Sequence, residues 1–122
     1  MGATGAMGAM GASGGARASM VQVRLPVLEG SAKMGERAFG AKCAACHAKD
    51  GGGVEGSGPP LIHKIYEPSH HGDMAFVMAA ERGVQSHHWG FGNMPPVEGI
   101  TRAEIVSIIA YVRAVQKENG IF

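Results

Sequence analysis

The clearest pattern along the chain lies near its C-terminal end. Ile105, Ile108, Ile109, Val112 and Val115 recur at intervals of three and four, with Tyr111 beside them, which is the repeat of a helix that buries one face. Thr101-Arg102-Ala103-Glu104 fits the start of that helix. In such a capping box the threonine hydroxyl accepts from a backbone N–H one turn on, and the glutamate reaches back to the threonine N–H. Lys117 and Gly120 suit its end. A second helical stretch starts at Ser31: Met34, Ala38, Ala41 and Ala45 share one side, and Gly35 and Phe39 lie four apart. A third is capped by Asp73 and runs to about Arg82, with Gly83 as its stop and Met74, Val77 and Met78 as its apolar face. Its methionines read as core packing, the usual role of a flexible thioether. Between these stretches, Asp50-Gly51-Gly52-Gly53 and Gly56-Ser57-Gly58-Pro59-Pro60-Leu61 preclude regular structure. Strand signals are nearly absent, so the chain reads as all-α, with long loops.

Composition changes the picture at the N-terminus. Met1 to Ser19 are almost entirely Gly, Ala, Ser, Thr and Met, with Arg17 the only charge. Such a sequence pays heavily in backbone entropy and has little surface to bury. Residues 1–22 are therefore read as a flexible arm and 23–122 as one folded domain. That domain is thin in aromatics for a chain with 20 glycines, and a large flat apolar cofactor would supply the missing core. The net charge of +1 comes with no Lys/Arg cluster or basic stripe, so nothing points to nucleic acid. No run of about eighteen apolar residues exists to form a transmembrane segment. No basic n-region precedes a continuous apolar stretch, so a signal peptide is not expected within this chain.

The two cysteines carry the chemistry. Cys43-Ala44-Ala45-Cys46-His47 is C-x-x-C-H, the spacing of covalent haem attachment. Two thiols three positions apart reach the two vinyl groups along one edge of a porphyrin, and the adjacent histidine brings its imidazole under the iron. A redox disulfide of the thioredoxin kind would sit in a βαβ pattern, which is not seen. Zinc needs about four ligands, and there is no second cysteine pair.

A second axial ligand is sought among eight methionines. Met1, Met7, Met10 and Met20 lie in or beside the arm, Met34 precedes the motif too closely to cross the haem, and Met74 and Met78 sit in a helix. Met94 differs. It lies in Gly90-Phe91-Gly92-Asn93-Met94-Pro95-Pro96, where prolines stiffen the backbone, far enough from His47 to pass over the opposite face. Its alternative is a buried loop methionine. His47 and Met94 together would give a closed, six-coordinate iron suited to outer-sphere electron transfer.

From about Ser31 to Asn119 the chain resembles the class I cytochromes c. The resemblance rests on C-x-x-C-H, Gly35 and Phe39 in the first helix, Gly58-Pro59-Pro60-Leu61, Met94-Pro95, and Tyr111 in the last helix. It implies helices and long loops wrapped around one covalently attached haem c. It also implies that the first and last helices cross at Gly35, that Phe39 contacts Tyr111, and that the Pro59 carbonyl accepts a hydrogen bond from His47 and so fixes its orientation. Pro60 stands where the family has asparagine. The resemblance further implies a periplasmic electron carrier, without catalytic residues, serving redox-protein donors and acceptors. A monomer is expected. An electron-transfer subunit of a larger oxidoreductase is the alternative, which co-purification with a catalytic partner would reveal. A gas sensor or haem enzyme would need an open iron.

Other residues carry weaker signals. Trp89 can cover the ring or donate its indole N–H to a haem propionate, with Tyr66 and Arg82 as lesser candidates. His70-His71, His87-His88 and His63 form a group that a second metal could use only if they converge. Lys33, Lys42, Lys49 and Lys64 flank the motif in sequence and read as a solvated face or as steering for an acidic partner.

Overall fold

A computed structural model of the chain describes residues 19–85 and 92–122. Trp89, His87, His88 and most of the arm lie outside the described residues. The element order is α1 (Gly30–Lys42), α2 (Ala44–His47), a 3-10 turn at Lys64–Tyr66, α3 (Asp73–Arg82) and α4 (Arg102–Glu118). Among the described residues the only β pairing is two isolated bridges, Val54 with Gly58 and Val84 with Met94. The architecture is therefore all-α, as the residue pattern predicts. No described helix is long and apolar enough to cross a membrane.

The capping box at the start of α4 is present in full. Glu104 N–H donates to Thr101 Oγ1 at 3.1 Å, and Thr101 N–H donates to Glu104 Oε1 at 2.9 Å. That second bond holds the Glu104 carboxyl below its ordinary pKa. The predicted apolar stripe is the buried one: Ile105, Ile108, Ile109, Tyr111, Val112 and Val115 are all buried. Its last member by position is polar, since Gln116 is 0% exposed.

Helix α1 buries Gly35 and Phe39, the pair that the resemblance places at the helix crossing, with Ala38 packed at the edge of the core, whereas Met34 is 63% exposed and Ala41 also faces solvent. The cause is the crossing with α4. A methyl group built on Gly35 would overlap the Ser107 carbonyl, so only glycine lets the two backbones approach this closely. One turn on, the Phe39 and Tyr111 rings meet at 5.4 Å with a 55° tilt, a geometry favoured by the ring quadrupoles. Around them Ile62, Ile108, Val112 and Val115 complete the main core, and Val77, Ile105 and Ile109 form a smaller cluster under α3.

Two expectations for α3 are corrected. Its N-cap is Gly72, and the Asp73 side chain accepts a hydrogen bond from Arg113 Nε at 2.9 Å instead of capping the helix. Met74 and Met78 are 61% and 44% exposed, so of the predicted apolar face only Val77 is buried. Val77 packs against Ile105 and Ile109 of α4, while Met78 lines the cavity beside the Cys43–His47 motif, so α3 divides its apolar residues between α4 and that cavity.

Polar side chains on α4 tie the long middle loop to the core. Gln116 Nε2 donates to the carbonyls of Leu61 at 3.0 Å and Tyr66 at 2.9 Å. Arg113 donates to the Tyr66 and His71 carbonyls and to Gln116 Oε1, while its guanidinium lies 4.6 Å from the centroid of the Phe76 ring. At the other end of α3, Arg102 makes a two-pronged pair with Glu81 at 2.9 and 3.1 Å.

The last residues of the glycine-rich N-terminal stretch lie against this domain. Ser19 Oγ donates to Asp50 Oδ1, and the N–H groups of Met20 and Val21 donate to the carbonyls of Gly53 and Gly52. Arg24 and the Asn119 side chain then exchange two hydrogen bonds, at 2.9 and 2.7 Å.

Candidate functional site

Helix α1 delivers the C-x-x-C-H motif. Cys43 closes α1 by donating to the Phe39 carbonyl at 2.8 Å, and its backbone bends to start the short helix α2. His47 N–H donates to the Cys43 carbonyl at 2.9 Å, so one helical turn sets the relation between the first cysteine and the histidine. Ala48, at φ 67°, then reverses the chain. The following loop folds back beneath the motif: Gly53 N–H donates to the His47 carbonyl at 2.8 Å, and Leu61 N–H donates to the Gly51 carbonyl at 2.7 Å.

That return brings the Pro59 carbonyl to His47 Nδ1, at 2.9 Å. A carbonyl only accepts, so Nδ1 carries the proton, and Nε2 is the nitrogen with a lone pair. His47 is 8% exposed. Burial lowers its pKa, with the Pro59 bond opposing that shift, and the imidazole is neutral at pH 7. Burial, and secondarily the neighbouring Cys46, pushes the Cys43 thiol up to about 11. The two cysteines are not joined to each other.

Cys43, Cys46, His47, Pro59 and Met94 all line one cleft of about 430 Å³. Its remaining walls are largely apolar and come from every helix, with Phe39, Phe76, Ala79, Ile105 and Val112 among them. That volume falls within the range of small-molecule and cofactor sites. The fit to a haem is therefore good on three counts: an apolar cavity, two cysteines in its lining, and the neutral His47 imidazole with Met94 as candidate ligands; Met78 of α3 and His71 line the same cleft. Met94 is held by its backbone. Its N–H donates to the Val84 carbonyl at 2.8 Å, and its carbonyl accepts from Val84 N–H at 2.9 Å.

Several lining residues had little or no signal in the sequence. Tyr66 and His71 both face the cleft. His71 Nδ1 lies 2.6 Å from the Ile65 carbonyl, and the ring packs between Tyr66 and His70, each at 4.9 Å. Arg113, which holds the backbone carbonyls of Tyr66 and His71, could not be singled out either. Gln116 could have been: it lies four positions after Val112, a polar residue on an apolar stripe, which calls for buried hydrogen bonds. The described histidines do not converge, since among the described residues no three His, Cys, Asp or Glu side chains are grouped to hold a metal ion. Lys33, Lys42, Lys49 and Lys64 are all exposed.

In a comparison with protein families, the family model described as Cytochrome c aligns with residues 32–116. No individual curated protein matches the chain.

Proposed function

The chain belongs to the cytochrome c family, and from that premise we propose that it is a periplasmic one-electron carrier, with a single haem c tethered to Cys43 and Cys46 and ligated by His47 and Met94. The observation that carries this reading is the shared cleft. The two thiols, the imidazole and the thioether come from segments more than forty residues apart and line the same apolar cavity.

When bound, the haem supplies one-electron iron chemistry, with its potential raised by a thioether ligand. The protein's own groups do the rest. The Pro59 carbonyl accepts a hydrogen bond from Nδ1–H at 2.9 Å, which leaves His47 Nε2 as the nitrogen with a free lone pair. A hydrogen bond to the far nitrogen also raises the donor strength of the imidazole. The apolar walls contributed by α3 and α4 exclude water, which lowers the dielectric around the site. Phe39 and Tyr111 join α1 to α4, which fixes the helix that carries Cys43 and leads to His47. With His47 and Met94 both holding the iron, no position would be left open for a substrate, and the partners would be redox proteins that exchange electrons at the cleft's edge.

Absorption spectra of the purified protein in both oxidation states test this reading. A covalent haem spectrum with a weak near-infrared band in the oxidised form is expected, and Met94→Ala should abolish that band and let the reduced protein bind carbon monoxide. Carbon monoxide binding by the unmodified reduced protein at neutral pH would refute the closed site. So would a Met94→Ala protein with an unchanged spectrum.

A further inference from the structure

We propose that Gly83 and Val84, at the end of α3, are positioning residues for the methionine ligand: their backbone sets where Met94 stands and so controls whether its sulfur holds the iron. The proposal rests on the reading of Met94 as an axial ligand and goes beyond it by assigning what presents that ligand.

The argument begins with what can anchor the backbone around Met94. Pro95 and Pro96 have no N–H groups, so from Met94 to Val97 the backbone has only two donors. Both are directed at the end of α3. Met94 N–H goes to the Val84 carbonyl at 2.8 Å, and Val97 N–H goes to the Ala80 carbonyl at 2.9 Å. The Ala80 carbonyl is one of the last four of α3, which have no partner within the helix. A third bond, Val84 N–H to the Met94 carbonyl at 2.9 Å, closes the bridge. The ligand segment thus takes its backbone hydrogen bonds from one turn of helix and the two residues after it.

Gly83 makes that contact sterically feasible. Its φ of +81° turns the chain out of α3. A Cβ there would stand 2.5 Å from the Met94 carbonyl oxygen and 3.1 Å from Pro96 N and Cδ, whereas ordinary contacts begin near 3.4 Å. The neighbours are backbone and a proline ring, which cannot swing aside as a flexible side chain would. Any side chain at 83 must therefore push the Met94–Pro96 backbone outward. The turn itself is fixed to the body of the protein, because Glu81 is gripped by Arg102 at the start of α4. A side chain as flexible as methionine can hold a metal at a fixed point only if its backbone is placed first, and here the end of α3 places it.

The test uses the haem-loaded protein. Gly83→Ala is expected to reduce the near-infrared band of the oxidised form to less than half its unmodified intensity and to let the reduced form bind carbon monoxide, while the helical circular dichroism persists. A Gly83→Ala protein with the full band and no carbon monoxide binding would overturn the proposal, even if it melted at a lower temperature. Should this variant fail to accumulate, amide hydrogen exchange on the unmodified protein decides. Linkage is reciprocal, so displacing the methionine with excess imidazole should speed exchange at the Val84 and Met94 amides by about tenfold, within the usual range of coupling between linked sites, and leave Val112 and Val115 unchanged. Equal exchange with and without imidazole would overturn it. If the unmodified protein shows no near-infrared band, the ligand assignment itself falls, an outcome separate from these.

Discussion

Removing one oxygen atom, in Tyr111→Phe, probes how the helix pair is joined to the haem motif. Tyr111 is 1% exposed, and its hydroxyl donates to the Lys49 carbonyl at 2.7 Å, two residues beyond His47. The phenylalanine keeps the ring contact with Phe39 and leaves that carbonyl without its partner. An intramolecular hydrogen bond in partly buried surroundings is worth about 1–1.5 kcal/mol, with stranding of the acceptor at the upper end. Burial, helped by Glu36 and Asp50, pushes the Tyr111 hydroxyl up to about 12 from an ordinary value of 10.0. A group whose folded pKa is raised contributes fully below its unfolded pKa and loses that contribution as pH climbs toward the folded value. By pH 11 the unfolded tyrosine is mostly ionised and the folded one mostly not. The resulting loss is about 1 kcal/mol after allowance for solvent screening at the loop. Guanidinium unfolding of both proteins at pH 7, 9, 10 and 11 is the assay. The unmodified protein should be the more stable by about 1–1.5 kcal/mol at pH 7 and 9, and the gap should shrink to near zero by pH 11. A gap that stays constant across the series, or one that is absent at pH 7, would refute the reasoning.

Two glycines of α1 are expected to respond in opposite directions. Gly35→Ala forces a methyl into the Ser107 carbonyl and should destabilise by about 3 kcal/mol, the upper range for overpacking. A methyl group at position 40 would meet nothing within 4 Å, so Gly40→Ala should stabilise by about 0.5–1 kcal/mol through helix propensity; equal effects in denaturant unfolding would refute the close crossing. Gln116→Leu removes the donor to the Leu61 carbonyl and an acceptor from Arg113. It should lower stability by about 2–3 kcal/mol, and a loss below about 1 kcal/mol would show that water or Arg113 takes over.

What the sequence made legible is what local physics decides. The start of α4 could be placed to the residue because a capping box and a five-member apolar repeat agree, and the end of α3 because glycine stops it at residue 83. The C-x-x-C-H motif is legible for the same reason, being one helical turn whose geometry needs no outside help. The buried side of α1 was legible only through the family resemblance, which implies the crossing at Gly35 and the contact of Phe39 with Tyr111. Spacing alone does not choose between Met34, Ala38 and Ala41 on one side and Gly35 and Phe39 on another, because the crossing that decides it joins residues some seventy positions apart in the chain. Nor could the bridge from Val84 to Met94 be read, since it pairs backbone groups that every residue except proline carries. Arg113 is a third case. A charge beside an apolar stripe is normally solvated, and only the returning loop, with its Tyr66 and His71 carbonyls, gives the guanidinium a buried task.

The crossing of α1 and α4 also bears on how the chain assembles. It joins Gly35 to Ser107, so forming it closes a loop of roughly seventy residues, at an entropic cost of about 4 kcal/mol before any packing is gained. Contacts this distant in sequence slow folding. Most of the cleft, from the His47 turn to the Met94 bridge, lies inside that loop, with Ile108, Ile109 and Val112 of α4 just beyond it. A cross-link within it, such as one from residue 47 to residue 94, shortens the free chain left to close, and each halving of free length recovers about 0.6 kcal/mol. The glycine that permits the crossing therefore belongs to a contact that is costly to close in chain entropy as well as to a close approach of two backbones in the folded state.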